Sequence, residues 1–140
     1  MWQRSNYIPG MLVLLMACRG LTTNDVTTGA SEAYPELKSM HAGEPPRVSF
    51  ARVQSVAMNM EGWDDCEVTD TWTLHCEAVT GTFEWVDDVW ITVEKNGPKG
   101  STISMRSASR VGEGDFGANA RRIRAFQQAY EAFTPGALPD

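Results

Sequence analysis

The 140-residue sequence predicts an α+β domain, a four-stranded antiparallel sheet with helices packed on one face in the order α-β-β-β-β-α. Two segments place apolar residues at helical spacing, and between them four segments read as strands, the clearest of them alternating with a period of two. The links joining those four are short, whereas parallel neighbours need long crossovers.

Phe50, Val53, Ala57 and Met60 fall on one helical face, and Gly62 is placed to end that helix at about Met60. Tyr34-Pro-Glu-Leu37 through His41-Ala-Gly-Glu-Pro-Pro46, upstream, reads as an extended lead-in. Trp63 to Thr69 and Trp72 to Thr80 read as strands around a turn at Asp70-Thr71; in the second, Trp72, Leu74, Cys76 and Ala78 alternate with Thr73, His75, Glu77 and Val79. Asp88 to Glu94 alternates again, with Val89, Ile91 and Val93 on one side and Trp90 and Thr92 on the other. Asn96-Gly97 is a reversal signal, and Thr102 to Ser107 is the return strand with Ile103 and Met105 inward. After Gly112, Gly114 and Gly117 the chain turns helical to Phe133: Ile123, Phe126, Tyr130 and Phe133 mark the buried face, Arg121, Arg124 and Gln128 the outer one, and Thr134-Pro-Gly136 the stop.

The chain starts differently. Met1-Trp-Gln-Arg4 is a short positive segment and Ile8 to Ala17 an apolar stretch of ten residues, half of the roughly 20 that a membrane-spanning helix needs. It reads as a cleaved export signal. Leu15-Met16-Ala17-Cys18 resembles a bacterial lipobox, in which the cysteine is lipidated and becomes the first mature residue. The alternatives are an ordinary signal peptide or an uncleaved anchor that holds an assembly partner at the membrane. On the lipobox reading residues 1–17 are the signal, 18–33 a small, polar, flexible tether, and 34–140 a single domain anchored to a membrane and facing the periplasm or exterior.

Lipidation of Cys18 makes the odd cysteine count coherent, because Cys66 and Cys76 remain as a pair in a disulfide-permissive compartment. Both lie five residues from Thr71, so a hairpin centred there sets them opposite each other; a slip of one residue sends them to opposite faces.

A net charge of -6 and a pI near 4.9 argue against a general nucleic-acid binder. The charge is segregated. Ten carboxylates and no Lys or Arg lie between Glu61 and Glu94, whereas Arg106 to Arg124 carries five arginines against Glu113 and Asp115. Such halves attract: the arginines either pair with the aspartates of the preceding strands, holding sheet to helix, or form a cluster kept for an anion.

Gly112-x-Gly114-x-x-Gly117 follows a strand and opens a helix, as a dinucleotide fingerprint does. No second parallel strand follows, and Asp115 inside the loop would repel a pyrophosphate. Asp115 is instead a candidate helix cap, with the glycines serving a tight approach to the helix. No cofactor is expected. His41 and His75 share no ligand spacing with each other or with cysteine, so structural zinc is not expected. Ser107 and Ser109 have arginine neighbours rather than a general base. Trp63, Trp72, Trp85 and Trp90 fit core and sheet surface better than a stacking platform.

Phe83-Glu-Trp-Val-Asp87-Asp88-Val89 and Arg106-Ser-Ala-Ser-Arg110-Val-Gly112-Glu-Gly-Asp115-Phe-Gly117-Ala-Asn119-Ala-Arg-Arg122-Ile together resemble the signature of the bacterial and plastid family known as domain of unknown function 1499. Tyr34-Pro-Glu-Leu37 and Gly62-Trp63 resemble its upstream marks, so the resemblance covers residues 34–133. Trp85 stands where the family usually has Phe, and the stretch holding the two cysteines departs from the pattern. The resemblance implies membership and no established activity.

Asp87 and Asp88 are successive strand residues and point to opposite faces, a poor arrangement for a paired acid and base. One is expected to meet Arg106 or Arg110 in a bidentate pair on the core side while the other is solvated. Ser107 shares the inward face with Met105, and Asn119 in the first helical turn is placed to bond the glycine loop. A non-catalytic binding or structural module at the cell envelope fits these features, its partner a protein or a small anionic ligand. The alternative is an enzyme acting on an anionic substrate, with Asp87 or Asp88 as acid or base and the arginines stabilising a negative transition state.

Overall fold

All four expected strands form, and the residues described by this computed structural model, 19–81 and 84–133, add two more. The expected signal segment, Cys18, Phe83 and the Thr134-Pro-Gly136 stop lie outside the described residues. In chain order the elements are β1 (Asp25–Thr27), β2 (Met40–Ala42), α1 (Pro46–Ala57), β3 (Trp63–Asp70), β4 (Thr73–Thr80), β5 (Trp85–Asn96), β6 (Gly100–Ser109) and α2 (Ala118–Ala132). The sheet runs β1-β6-β5-β4-β3, all pairings antiparallel, with β2 on the same edge of β6 as β1. The fold is therefore α+β as expected, with six strands where the periodicity shows four.

The two additional strands correct the reading of the N-terminal region. Residues 19–33 are not a free tether throughout: Val26 is fully buried, and β1 pairs with Arg106, Ser107 and Ala108. In the lead-in, Met40 to Ala42 pairs with Ser101 to Ile103, while Tyr34 and Leu37 enter the core. Three residues are too few for an alternation to show; β1 and β2 exist because β6 offers them an open edge. Together they cover the length of that edge in two short pieces, which blunts it. The other edge, β3, exposes Asp64, Glu67 and Asp70, whose charges oppose further strand addition.

Leu74, Cys76 and Ala78 of β4, Val89, Ile91 and Val93 of β5, and Ile103 and Met105 of β6 form one apolar face, as their alternation requires. Both helices cover it. Phe126 of α2 stacks on Trp63 with ring centroids 5.6 Å apart, and Phe50 of α1 meets Trp72 edge-on at 5.7 Å. The first helix starts at Pro46, suited to a helix's first turn because its missing N–H has no partner to lose. It ends at Ala57 rather than Met60, whose amide closes a final tight turn onto the Ala57 carbonyl. In α2, Ile123, Phe126 and Tyr130 are buried as expected, and Phe133, one residue past the helix, is half-buried. The strands β5 and β6 extend beyond their alternating cores at both ends, because ladder pairing continues past the last buried side chain.

The hairpin β3–β4 carries a disulfide between Cys66 and Cys76, with Cα atoms 4.1 Å apart. Asp64 pairs with Glu77 and Glu67 with His75, so Asp65 and Cys66 together oppose Cys76. Asp65 takes the extra position with φ of 45°. That bulge resets the alternation, bringing Trp63 and Cys66, an odd number of residues apart, to the same core side.

Candidate functional site

The motif residues divide between the two faces of the sheet. Asp87 continues the inward series of Val89, Ile91 and Val93 and is 3% exposed. Arg122 reaches it from α2, its Nη2 2.6 Å from Asp87 Oδ2, and Thr80 Oγ1 donates to the same oxygen at 2.6 Å. The second Arg122 nitrogen donates to Ser107 Oγ at 3.0 Å and Asn119 Oδ1 at 2.8 Å. Ser107 itself donates to Asn119 Oδ1 at 2.6 Å. One buried network thus joins β4, β5, β6 and α2.

Asn119 carries the network into the glycine loop. Its Nδ2 donates to Ser109 Oγ at 2.9 Å, to Asp115 Oδ2 at 2.7 Å and to the Asn24 carbonyl at 3.1 Å. The N-cap residue is Gly117 rather than Asp115, which instead satisfies the helix start from two residues earlier, accepting from the amides of Gly117 at 2.7 Å and Asn119 at 3.1 Å. Gly117 itself holds φ of 81°, a left-handed conformation suited to glycine. Gly114 is required by crowding, since a Cβ there would overlap the carbonyl oxygens of Gly20 and Leu21. The N-terminal segment lies directly on this loop, with Phe116 N donating to Gly20 O at 3.0 Å and Asp115 N to Thr23 O at 3.1 Å. Asn24 Nδ2 donates to the Gly112 carbonyl.

On the opposite face, Arg110 grips Asp88 with two bonds of 2.7 and 2.8 Å and reaches Glu77 at 2.6 Å. His75 Nε2 lies 2.7 Å from Asp88 Oδ1. The Arg110 guanidinium holds the Asp88 carboxyl down at about 2, against the desolvation that opposes it, and His75 adds to the effect. Asp88 in turn raises the pKa of Arg110 above its ordinary value. Arg106 makes its own bidentate pair with Asp25 at 2.7 and 3.0 Å and lies over the Trp90 ring, 4.8 Å from its centroid.

The expected core-side pairing is therefore corrected. The inward aspartate is Asp87 and its partner is Arg122, not Arg106 or Arg110, because both of those alternate outward from β6 or its end. The outward aspartate, Asp88, is not simply solvated but held by Arg110 and His75. Asn24, Asp25, His75, Glu77 and Thr80 are members that the sequence reading missed. Only His75 and Glu77 left a signal, since they share β4's outward alternation and face β5 once register is known.

A depression of about 490 Å³ lies on the helix side and is lined by Lys38, His41, Glu44, Arg52, Tyr130 and Glu131 among others. Arg52 pairs with Glu44 at 2.6 Å and lies over the Tyr130 ring at 5.3 Å. The buried Glu44 Oε2 and Tyr130 hydroxyl have no hydrogen-bond partner among the described residues. None of the Asp87, Asp88, Arg106 or Arg110 side chains lines this depression. Among the described residues no group of three or more His, Cys, Asp or Glu is placed to hold a metal, and no helix is long and apolar enough to cross a membrane.

Residues 18–130 match the family described as Protein of unknown function (DUF1499). No curated protein matches the chain. Among solved structures, the chain is similar to a protein of Deinococcus radiodurans at 10% identity, covering 78% of this chain and 99% of that one, with a TM-score of 0.38. It is also similar to a conserved protein of Geobacillus kaustophilus at 10% identity, covering 66% of this chain and 87% of that one, with a TM-score of 0.34.

Proposed function

The chain belongs to the DUF1499 family, and from that premise we propose that it is an exported, lipid-anchored domain that acts at the cell envelope as a non-catalytic binding or structural module. The observation that carries the non-catalytic part is the mutual pairing of the motif residues. Asp88 has both oxygens engaged by Arg110 and His75 and stays ionised throughout the physiological range, which removes it as a general acid or a poised base. Asp87 is engaged by Arg122 and Thr80, and Arg106 by Asp25. The motif is best read as a clamp that locks the N-terminal segment and the glycine loop onto the corner between sheet and helix.

The cysteines support export. A disulfide between Cys66 and Cys76 suits an oxidising compartment and leaves Cys18, at the end of the lipobox-like Leu15-Met16-Ala17, as the lipidation site. Mass spectrometry of the full chain recovered from bacterial membranes tests this. A mature N-terminus at Cys18 carrying diacylglycerol is the expected result. An intact Met1, or an unmodified Cys18 thiol, would overturn the anchor.

A further inference from the structure

The segment that follows Cys18 is bound to the domain from its first residues. Gly20 is buried and its carbonyl accepts from Phe116 N at 3.0 Å. Two Cα steps, at most about 7.6 Å, separate Gly20 from Cys18. Acyl chains on Cys18 therefore start beside the glycine loop, with no spacer to carry the domain away from the membrane.

That corner is also where large apolar side chains are left in the open. Phe116 is 62% exposed, Val111 60% and Leu21 55%. Phe116 and Val111 line one depression of about 220 Å³ together with Trp85 and Arg121, with the paired carboxylates Asp87 and Asp115 at its inner wall. Phe116 holds φ of 52°, a left-handed conformation that a bulky residue adopts only under constraint. Its carbonyl accepts from Arg121 Nη1 at 2.7 Å, so a guanidinium sits beside the backbone of that residue. An aromatic held outward under backbone strain gains nothing from the folded core, and an adjacent cation matches a phosphate. Aromatic and basic residues beside an acyl anchor are the chemistry of a bilayer interface.

We infer that Leu21, Val111 and Phe116 seat the glycine-loop corner in the interfacial layer of the phospholipid bilayer that Cys18 anchors, so that the domain stands on the membrane in one orientation. The inference rests on the lipid-anchor reading. Because Cys66 and Cys76 are bridged, a cysteine introduced elsewhere into the lipidated chain is its single free thiol. Full-length Phe116→Cys and Val111→Cys, and Lys99→Cys in the β5–β6 turn as the remote control, would each be labelled with an environment-sensitive fluorophore. They would be reconstituted in phosphatidylethanolamine–phosphatidylglycerol vesicles containing doxyl-labelled acyl chains. Several-fold stronger quenching by the doxyl lipids at 116 and 111 than at 99, with the reverse order for aqueous iodide, is expected. Equal quenching at all three sites in a chain whose mass shows lipidated Cys18 would overturn the docking alone. A mass showing no lipid would overturn the anchor and the docking with it. Thermal melts matching the unsubstituted chain establish that a label reports on the native fold, and agreement of two sites separates docking from a local disturbance at Phe116.

Discussion

Replacing Arg122 with alanine removes the cation beside Asp87 and leaves a carboxylate whose side chain is 4% exposed. Thr80 Oγ1 still donates to it, and Ser107 still donates to Asn119 Oδ1, so the rest of the network persists around an uncompensated charge. Breaking a buried ion pair by removing one partner costs about 3–5 kcal/mol, mostly the burden of the charge left behind. With a urea m-value of about 1.5 kcal/mol/M for a domain of this size, the unfolding midpoint should fall by about 2–3 M. Tryptophan fluorescence during urea titration reads it, since Trp63 stacks on Phe126 of the same helix and loses that contact on unfolding. The double variant Arg122→Met with Asp87→Leu removes both charges and should recover most of the loss. A midpoint shift below about 0.5 M in the single variant, or a double variant no more stable than the single, would refute the reasoning that the pair is desolvated and interdependent.

Three further outcomes follow from the same geometry. Reducing the Cys66–Cys76 bridge, which closes a loop of sequence separation 10, should cost about 2–3 kcal/mol; thiol titration of the unfolded chain should find the pair only after reductant. The Asp88 carboxyl is depressed from 3.8 to about 2, so its contribution is fully present above its unfolded value and is lost as pH falls through the folded one. Urea midpoints measured from pH 5 down to 2 should decline, with a shallower slope in Asp88→Asn. Gly20→Ala would press a Cβ into the backbone of Phe116 and Gly117, at a cost of about 1–3 kcal/mol. Hydrogen exchange should then show β1 amides, starting with Val26, opening before those of β5.

How far the architecture can be read in advance depends on the length over which a pattern repeats. Val89, Ile91 and Val93 alternate long enough to declare a strand and its inner face, and Ile123, Phe126 and Tyr130 do the same for the second helix. Asn96-Gly97 marked its turn correctly, Gly97 taking φ of 71°. Val26 carries no such signal, because β1 is defined by the edge it joins rather than by its own residues. The site divides in the same manner. The motif named Asp87, Ser107, Ser109, Asp115, Asn119 and Arg122 of the network, but which arginine meets which aspartate depends on the face each occupies. Arg106 and Arg110 look inviting as partners for Asp87 in sequence and are on the wrong side of the sheet.

Alternation, helical spacing and turn chemistry are local properties, so the amino-acid sequence alone determined the α+β class, the four long strands, both helices and the motif residues from Asp87 to Arg122, but not Asn24, Asp25, His75, Glu77 and Thr80. The pairing of Cys66 with Cys76 sat at the limit of that reading, because the register of Val68 with Leu74 and Glu67 with His75 sets the two side chains opposite each other and a slip of one residue would have parted them. Tertiary structure alone decided the rest: the two edge strands, the choice of Arg122 for Asp87 and of Arg110 for Asp88, and the packing of Gly20 against the glycine loop. These contacts join residues far apart in sequence; the Phe116 N–Gly20 O hydrogen bond joins residues 96 positions apart. Their energies come from burial and charge that exist only once the sheet has closed.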